Sequence, residues 1–319
     1  MHCIGVDVSK QELVTYDGKV GQVFPNDRGL SEFASFVKET GDTLIVFEPT
    51  STYSRRLETL CRTEGISCCL LNPRVIPHLR PVGRGRSKTD KTDAELLYQY
   101  GIERGAAEAE ELKHDALVQS VAAYLACYRV VQKGRIACQG LLEALKQDPA
   151  TSKDLLSKLE SEIVELKGKE EGHIAQAAAI IAEDGAAARS LEALLSIPGV
   201  GPITAITLLT LFRKYYDTNR QQIVALAGLD PIQFQSGTSV HRKLRISKRG
   251  KREVRKRLYE ATLSAARYNP AVKHLYRRLK DVGKPDKVAR ITAARKLLLI
   301  AHTVYKSSKH FRVSVEVQT

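Results

Sequence analysis

Hydrophobic residues form short runs between residues 3 and 73, and each run ends at a glycine or a polar turn. Runs with strand character alternate with two segments in which apolar residues recur at helical spacing. The predicted strands are 3–10, 12–17, 20–27, 42–50 and 66–73, and the predicted helices are 28–40 and 51–65. The order β-β-β-α-β-α-β is typical of a mixed sheet with helices packed on its faces.

From about Asp93 onward the pattern becomes helical. A 3-4-3 spacing is formed by Leu156, Leu159, Ile163 and Leu166. It predicts a short helical hairpin or coiled-coil arm, bounded near Pro149 and Gly168, that serves as a dimer contact or as a packed helix pair. We therefore expect three domains: an α/β domain at 1–110, a helical arm at 111–190 and a mainly α domain at 191–319.

The composition is that of a globular protein with sizeable cores. The chain has 319 residues, of which 43% are hydrophobic, and this length favours two or three domains. No apolar run is long enough to span a membrane, and the N-terminus lacks the pattern of a secretion signal. We expect a cytoplasmic protein. The six cysteines show no zinc-site spacing, which favours buried thiols over a metal site or disulfides.

Positive charge is concentrated in the last quarter of the chain. Residues 241–319 contain 23 Lys and Arg against 5 Asp and Glu, a net charge of +18, whereas residues 1–240 carry a net charge of −4. Such asymmetry indicates a polyanionic partner. Because the chain has no Trp and only 7 Phe, nucleic acid is favoured over a membrane surface.

Four acidic residues are candidates for a metal site. Asp7 lies within the first strand pattern, and Glu48 ends an apolar run, where an unpaired charge would be costly. Asp90 and Asp93 are three residues apart where a helix begins. Carboxylates from two strands and one helical turn could hold Mg²⁺, and two such ions would clamp a phosphodiester.

Basic residues surround the two helical aspartates. We expect phosphate contacts from Arg84, Arg86, Lys88 and Lys91. The simpler alternative treats Asp90 as an N-cap and Asp93 as a first-turn partner of the helix dipole. The sequence alone leaves both interpretations open.

The segment "IPGVGPITA" (197–205) places a Gly-x-Gly between two helical patterns. This is a helix–hairpin–helix pattern, in which Gly199 and Gly201 allow backbone N–H groups to approach a phosphate. Such hairpins usually bind DNA without recognising its sequence. The alternative is a simple turn between two helices with glycines at the cap.

The segment from Arg242 to Arg257 contains ten basic residues and one acidic residue. The expected nucleic-acid contacts within it are Arg242, Lys243, Arg245, Lys248 and Arg249. Just before it, Ser236 precedes a glycine in what we expect to be a polar, flexible turn. A serine among cations can act as a nucleophile toward a phosphodiester, although most serines in such turns only shape the turn.

These motifs occur together in one order. The chain presents "GVDVSK", "FEPTSTYS", "RGRSKTDKTDA", "IPGVGPITA", "GLDPIQFQSGTS" and "ISKRGKREVR". In this it resembles the one-ten family of bacterial insertion-sequence transposases, which are related to the Piv/MooV DNA invertases. The resemblance covers nearly the whole chain, and the motif order is more specific than any single motif.

The resemblance implies an RNase H-like (RuvC-like) N-terminal domain whose D-E-D-D tetrad corresponds to Asp7, Glu48, Asp90 and Asp93. It also implies a catalytic serine before a glycine, matched by Ser236. Many relatives have two serines there, so "QSGTS" leaves Ser239 as an alternative. Further expectations are a covalent serine–DNA link, a structured guide (bridge) RNA, and dimers or tetramers that combine tetrad and serine from different subunits. A nucleoid-associated cytoplasmic location would follow.

Three alternatives remain from the sequence. A RuvC-like nuclease such as a junction resolvase would use the tetrad without the serine. A non-catalytic nucleic-acid-binding protein would show salt-dependent binding but no response to Mg²⁺. A tyrosine recombinase is disfavoured because no arrangement of Arg and His stands out around a tyrosine such as Tyr259.

Overall fold

The computed structural model describes residues 2–49, 53–71, 89–105, 115–232, 235–236, 240–241 and 245–312. The chain divides into two compact units, Met1–His114 and Asp115–Thr319. The described residues form a mixed α/β protein with eleven α-helices and a five-stranded sheet. None of these helices combines the length and apolar character needed to cross a bilayer.

The first unit is built on the five-stranded sheet. Its strands are β1 (His2–Val8), β2 (Glu12–Tyr16), β3 (Gly21–Pro25), β4 (Thr43–Phe47) and β5 (Ser67–Leu70). The strand order is β3-β2-β1-β4-β5, with antiparallel pairs among β1, β2 and β3 and parallel pairs among β1, β4 and β5. The predicted order β-β-β-α-β-α-β is confirmed, because period-two alternation and short buried runs identified each strand.

Helices cover both faces of this sheet. Two of them, α1 (Leu30–Glu39) and α2 (Arg55–Thr63), cover the face that carries Ile4 and Val6. The opposite face is covered by α3 (Asp90–Tyr100), which continues into a π-helical turn (Gly101–Gly105). The mixed sheet between helical layers is the arrangement expected of an RNase H-like domain.

The second unit is mainly helical. Its helices are α4 (Ala116–Leu145), α5 (Lys153–Ala182), α6 (Gly185–Leu195), α7 (Pro202–Lys214), α8 (Arg220–Ala227), α9 (Arg252–Tyr268), α10 (Pro270–Asp281) and α11 (Asp286–Ser307). Helix α7 is central, since eight of its residues are buried. The core joins it to the first turns of α4 and to α9 and α11.

The paired helices of the arm extend beyond the segment 149–168 that the 3-4-3 spacing indicated. Helices α4 and α5 contain 30 residues each and pack against one another along their length. The predicted boundary at Gly168 was wrong, because that glycine lies inside α5. An exposed helix interior tolerates glycine at a cost of about 1 kcal/mol, and the packed partner helix offsets this cost.

Four short strands lie between α8 and α9. They are β6 (Pro231–Ile232), β7 (Gln235–Ser236), β8 (Val240–His241) and β9 (Arg245–Ile246). The antiparallel pair of β7 and β8 is nested inside the antiparallel pair of β6 and β9. The segment is therefore a β-hairpin rather than an extended loop.

Candidate nucleic-acid cleavage site

Asp7 lies on the face of β1 that α3 covers. Along this strand Ile4, Val6 and Val8 are buried among the residues of α1 and α2, so Asp7 alternates to the opposite face. Its side chain is half-buried. A functional carboxylate fits this position, because the side chain lies at the border of the packed layer and remains partly exposed to solvent.

Glu48 directly follows β4 at the same end of the sheet. The parallel register pairs Val6 with Phe47, which brings Asp7 and Glu48 to neighbouring positions at the carboxyl ends of β1 and β4. In the alternation of β4, Glu48 follows Leu44 and Val46, which pack on the α3 face. Two acidic residues thus share one sheet face and one edge.

Gly5 explains how α3 approaches this edge. A Cβ at Gly5 would lie 2.1 Å from the carbonyl oxygen of Ala94 and 2.4 Å from the backbone nitrogen of Tyr98. The helix backbone therefore lies directly on β1, two residues from Asp7. Asp93 is adjacent to that contact and is 6% exposed. A carboxylate this deeply buried requires a compensating partner.

The first turn of α3 carries the second helical aspartate. Thr89 is the N-cap, and its hydroxyl accepts a hydrogen bond from the backbone nitrogen of Thr92 at 3.2 Å. Asp90 is therefore the first residue of the helix and not its cap, so the N-cap interpretation of Asp90 was wrong. Asp90 and Lys91 are exposed, whereas Asp93 is buried.

Asp7 and Glu48 share one edge of the sheet, but the four carboxylates do not form a closed ligand set. Within the described part of the chain, no three His, Cys, Asp or Glu side chains are gathered closely enough to hold a metal ion. Asp7, Glu48 and Asp93 each interact with other groups. Their chemistry nevertheless fits a hard divalent cation, since carboxylate oxygens are the ligands such ions prefer.

Ser236 is the last residue of β7. It pairs with Val240, and residues 237–239 connect the two strands. The prediction of a flexible turn at Ser236 was wrong, because the residue belongs to a paired strand next to the turn. A hairpin fixes the backbone of a nucleophile more closely than an open loop does.

The base of the hairpin is tied to the helical core. Arg255 donates hydrogen bonds to the carbonyl oxygens of Ala227, at 3.0 Å, and Gly250, at 2.7 Å. The Ser247 hydroxyl donates to the carboxylate of Asp230. These contacts join the segments on either side of the hairpin, so Arg255 has a structural role within the basic segment.

Three of the other expected phosphate contacts lie within the described residues. Arg245, Lys248 and Arg249 are exposed at the foot of the hairpin. Five further basic residues of the prediction, and the alternative serine, lie outside the described residues: Arg84, Arg86, Lys88, Arg242, Lys243 and Ser239.

The two glycines of the Gly-x-Gly turn have different environments. Gly199 has a φ of +94°, and a Cβ there would lie 2.6 Å from the backbone of Ala265 in α9, so this glycine is required by packing. Gly201 is the N-cap of α7, has no side-chain cap, and has open space around it. Of the two, only Gly201 is placed at an uncapped helix N-terminus that could accept a phosphate.

Sequence reasoning missed a buried ionic network between the arm and α9. Arg257 is 2% exposed and donates hydrogen bonds to Gln132 at 3.0 Å and to Glu253 at 2.7 Å. Its guanidinium lies 5.0 Å from the ring centroid of Tyr128. The spacing of Glu253, Arg257 and Glu260 on one helix was visible in the sequence, but Gln132 lies 125 residues away.

Comparison with known proteins identifies two matched regions, the first covering the unit with the five-stranded sheet and the second lying within the helical unit. Residues 4–124 match a DEDD transposase domain of the IS110 type, and residues 191–277 match the transposase IS116/IS110/IS902 family. The chain belongs to the IS110 family of transposases. It is therefore a DNA recombinase enzyme, and its DEDD domain indicates a dependence on a divalent metal ion.

Two similar proteins are matched over nearly their full length. The pilin gene-inverting protein of Moraxella bovis is 26% identical over 332 aligned residues, which cover 97% of each chain. The corresponding protein of Moraxella lacunata is 26% identical over 330 residues, with the same coverage. Both units of this IS110-family transposase therefore have counterparts in these proteins.

Proposed function

We propose that this transposase cuts and rejoins DNA through a covalent phosphoserine intermediate at Ser236, assisted by divalent metal ions on the carboxylate site. The observation that carries the proposal is the pairing of two features. Asp7 and Glu48 occupy adjacent strand ends on the sheet face that is covered by α3, the helix that carries the buried Asp93, and Ser236 stands on an anchored hairpin whose foot carries exposed cations. RuvC-like chemistry alone requires only the first feature.

The carboxylates would hold two Mg²⁺ ions between Asp7, Glu48, Asp90 and Asp93. Bound there, the ions supply charge neutralisation to the phosphate and to the entering and leaving oxygens. Lys91, which is exposed on the same helical turn, would contact a neighbouring phosphate.

The chemical steps balance as two transesterifications. The Ser236 oxygen forms a bond to phosphorus, the phosphodiester bond to one DNA oxygen breaks, and the serine proton balances the proton gained by that leaving oxygen. After strand exchange, a hydroxyl of the partner strand attacks the phosphoserine and releases Ser236. Arg242, Lys243, Arg245, Lys248 and Arg249 neutralise phosphates near the hairpin.

Three features of the proposal come from the family resemblance. A structured guide (bridge) RNA selects donor and target DNA, the active assembly is a dimer or tetramer, and the carboxylates and serine of one reaction come from different subunits. The excess of cations after residue 241 and the uncapped helix N-terminus at Gly201 support nucleic-acid binding by the second unit. Together with Gly199, Gly201 would form the turn of the proposed helix–hairpin–helix.

The test is a search for the covalent intermediate. Wild-type protein, Ser236→Ala, Ser239→Ala and Asp93→Ala are incubated with Mg²⁺, element-end DNA and RNA co-purified from the host, and then resolved on a denaturing gel. We expect a protein–DNA adduct in wild type and in Ser239→Ala, and none in the other two. Cleavage that survives Ser236→Ala without an adduct would instead establish a metal-only nuclease.

A further inference from the structure

A groove lies between the end of α9 and the helices α10 and α11. Its volume is about 510 Å³, within the usual range for a site that holds a small molecule or one unit of a polymer. Two of its side chains, Tyr268 and Leu263, are 68% and 51% exposed. An exposed tyrosine and an exposed leucine that line one groove offer apolar surface on which a flat ligand can pack.

The corner between α9 and α10 holds Tyr268 in place. Tyr268 is the last residue of α9, and the next residue, Asn269, is fully buried. The Asn269 side chain accepts a hydrogen bond from the backbone nitrogen of Val272 at 3.3 Å and caps α10. The exposed ring therefore extends from a rigid backbone, which lowers the entropy cost of ligand binding.

A second tyrosine on the other wall is fixed through its hydroxyl. Tyr276 donates a hydrogen bond to Asp286, and Arg290 donates to the same carboxylate at 2.6 Å. The guanidinium of Arg290 also lies 5.5 Å from the ring centroid of Tyr276. The hydrogen bond to Asp286 raises the pKa of Tyr276, so the ring stays neutral. The groove thus presents a prearranged aromatic and guanidinium surface.

Cations surround the groove. Arg267 is exposed on its rim. Helix α10, which carries Tyr276, also lines a neighbouring groove of about 560 Å³ with Lys273, Arg277 and Arg278. An aromatic surface flanked by cations along a helix is the combination that binds single-stranded nucleic acid, in which rings stack on bases and cations contact the backbone.

We propose that this groove is a stacking site for an unpaired nucleotide of a single-stranded RNA or DNA segment, with Tyr268 as the stacking residue. A duplex cannot use the site, because its bases are stacked on one another and inaccessible. The inference does not depend on the serine chemistry and rests only on the chain acting on nucleic acid. An apolar contact between protein molecules is disfavoured because the rim carries Arg267 and Arg290.

The test measures binding without catalysis. Full-length Ser236→Ala protein in EDTA is titrated against a single-stranded RNA, a single-stranded DNA and a duplex of equal length, each with a fluorescent 2-aminopurine base. In this background we compare Tyr268→Ala, Tyr268→Leu and Tyr268→Phe. The matched control is Tyr216→Ala, since Tyr216 is a 60% exposed tyrosine at another place in the same unit.

We expect Tyr268→Ala and Tyr268→Leu to weaken single-strand binding by about fivefold or more and to relieve 2-aminopurine quenching, whereas Tyr268→Phe preserves both. Duplex affinity and the Tyr216→Ala control stay unchanged. The RNA and DNA arms show which strand is the source of the unpaired base. Equal losses on duplex and single strands, no loss at all, or a change only in the oligomeric state would overturn the proposal. None of these outcomes depends on adduct formation.

Discussion

The carboxylate edge of the first unit and the serine hairpin of the second unit are built in different ways. Asp7 and Glu48 are placed by a sheet register, and Asp93 is placed by a helix pressed onto that sheet at Gly5. Ser236 stands on a strand of two residues whose position depends on the hydrogen bonds of Arg255 and Ser247 at the hairpin base. The first site is therefore fixed by the fold itself, and the second by a local anchor.

The strongest test of this comparison replaces Asp93 with Asn. Because Asn keeps the shape but removes the charge, we expect a loss of strand cleavage on the order of 100-fold or more, the scale of a group that stabilises a transition state. The measurement is the single-turnover cleavage rate at saturating Mg²⁺. Asp27→Asn, at an exposed aspartate of the same unit, serves as the control. Equal rates for both variants would remove Asp93 from the catalytic site.

The next test targets the close contact at Gly5. In Gly5→Ala the new methyl group meets backbone atoms that cannot turn aside, so α3 must move away from β1. We expect the free energy of unfolding of the first unit to fall by about 3 kcal/mol, the upper range for overpacking. Urea denaturation measures it. Gly21→Ala, at a strand glycine whose Cβ would lie 3.3 Å from its nearest neighbour, should cost much less.

The corresponding change in the second unit is Arg257→Met. Removal of the guanidinium takes one of two donors from Gln132, leaving that of Lys256, and weakens the link between α9 and the arm. We expect the free energy of unfolding to fall by about 2 kcal/mol, less than for a fully buried pair because Glu253 and Glu260 are partly exposed. A double-mutant cycle with Gln132→Leu checks the pairing, since additive losses would mean that the two side chains act independently.

The smallest expected effect is a pH dependence. Burial, reinforced by the neighbouring Cys69, raises the pKa of Cys3 to about 11. A raised pKa favours the folded state below the ordinary thiol value of 9.0 and loses that contribution as the pH rises toward 11. We therefore expect the free energy of unfolding to decline by about 1 kcal/mol between pH 8 and pH 10 on account of Cys3.

The control for this pH dependence is Cys3→Ala. A hydrogen bond with Cys68 and burial also raise the pKa of Cys61, so wild type and variant are compared at each pH by urea denaturation. Parallel curves for the two proteins would show that Cys3 does not contribute. The exposed Cys127 should react with a thiol reagent long before Cys3 does.

Much of the first unit follows from its sequence because local patterns there coincide with tertiary structure. Alternation along β1 places Asp7 opposite the apolar face, and the run before Glu48 is a fully buried strand. The pattern could not show that Thr89 rather than Asp90 caps α3, since both residues are good N-caps. It also could not show the contact that requires Gly5 to lack a side chain.

The second unit was harder to predict because long-range contacts decide its details. The strand that holds Ser236 is only two residues long, too short for a periodic signal. The role of Gly199 depends on Ala265, which is distant in sequence. The cations from Arg242 to Arg257 look equivalent in sequence, yet packing makes Arg255 and Arg257 structural.

The length of the paired helices α4 and α5 determines how far the arm extends from the core. Each contains 30 residues and therefore measures roughly 45 Å. The first half of α4 is fastened to the core through Val121, Leu125 and Gln132. Removing seven residues on each side of the connection at 146–152 would shorten the free half by about 10 Å without touching the fastened half. The reach of the arm can thus change while the fold that carries it stays the same.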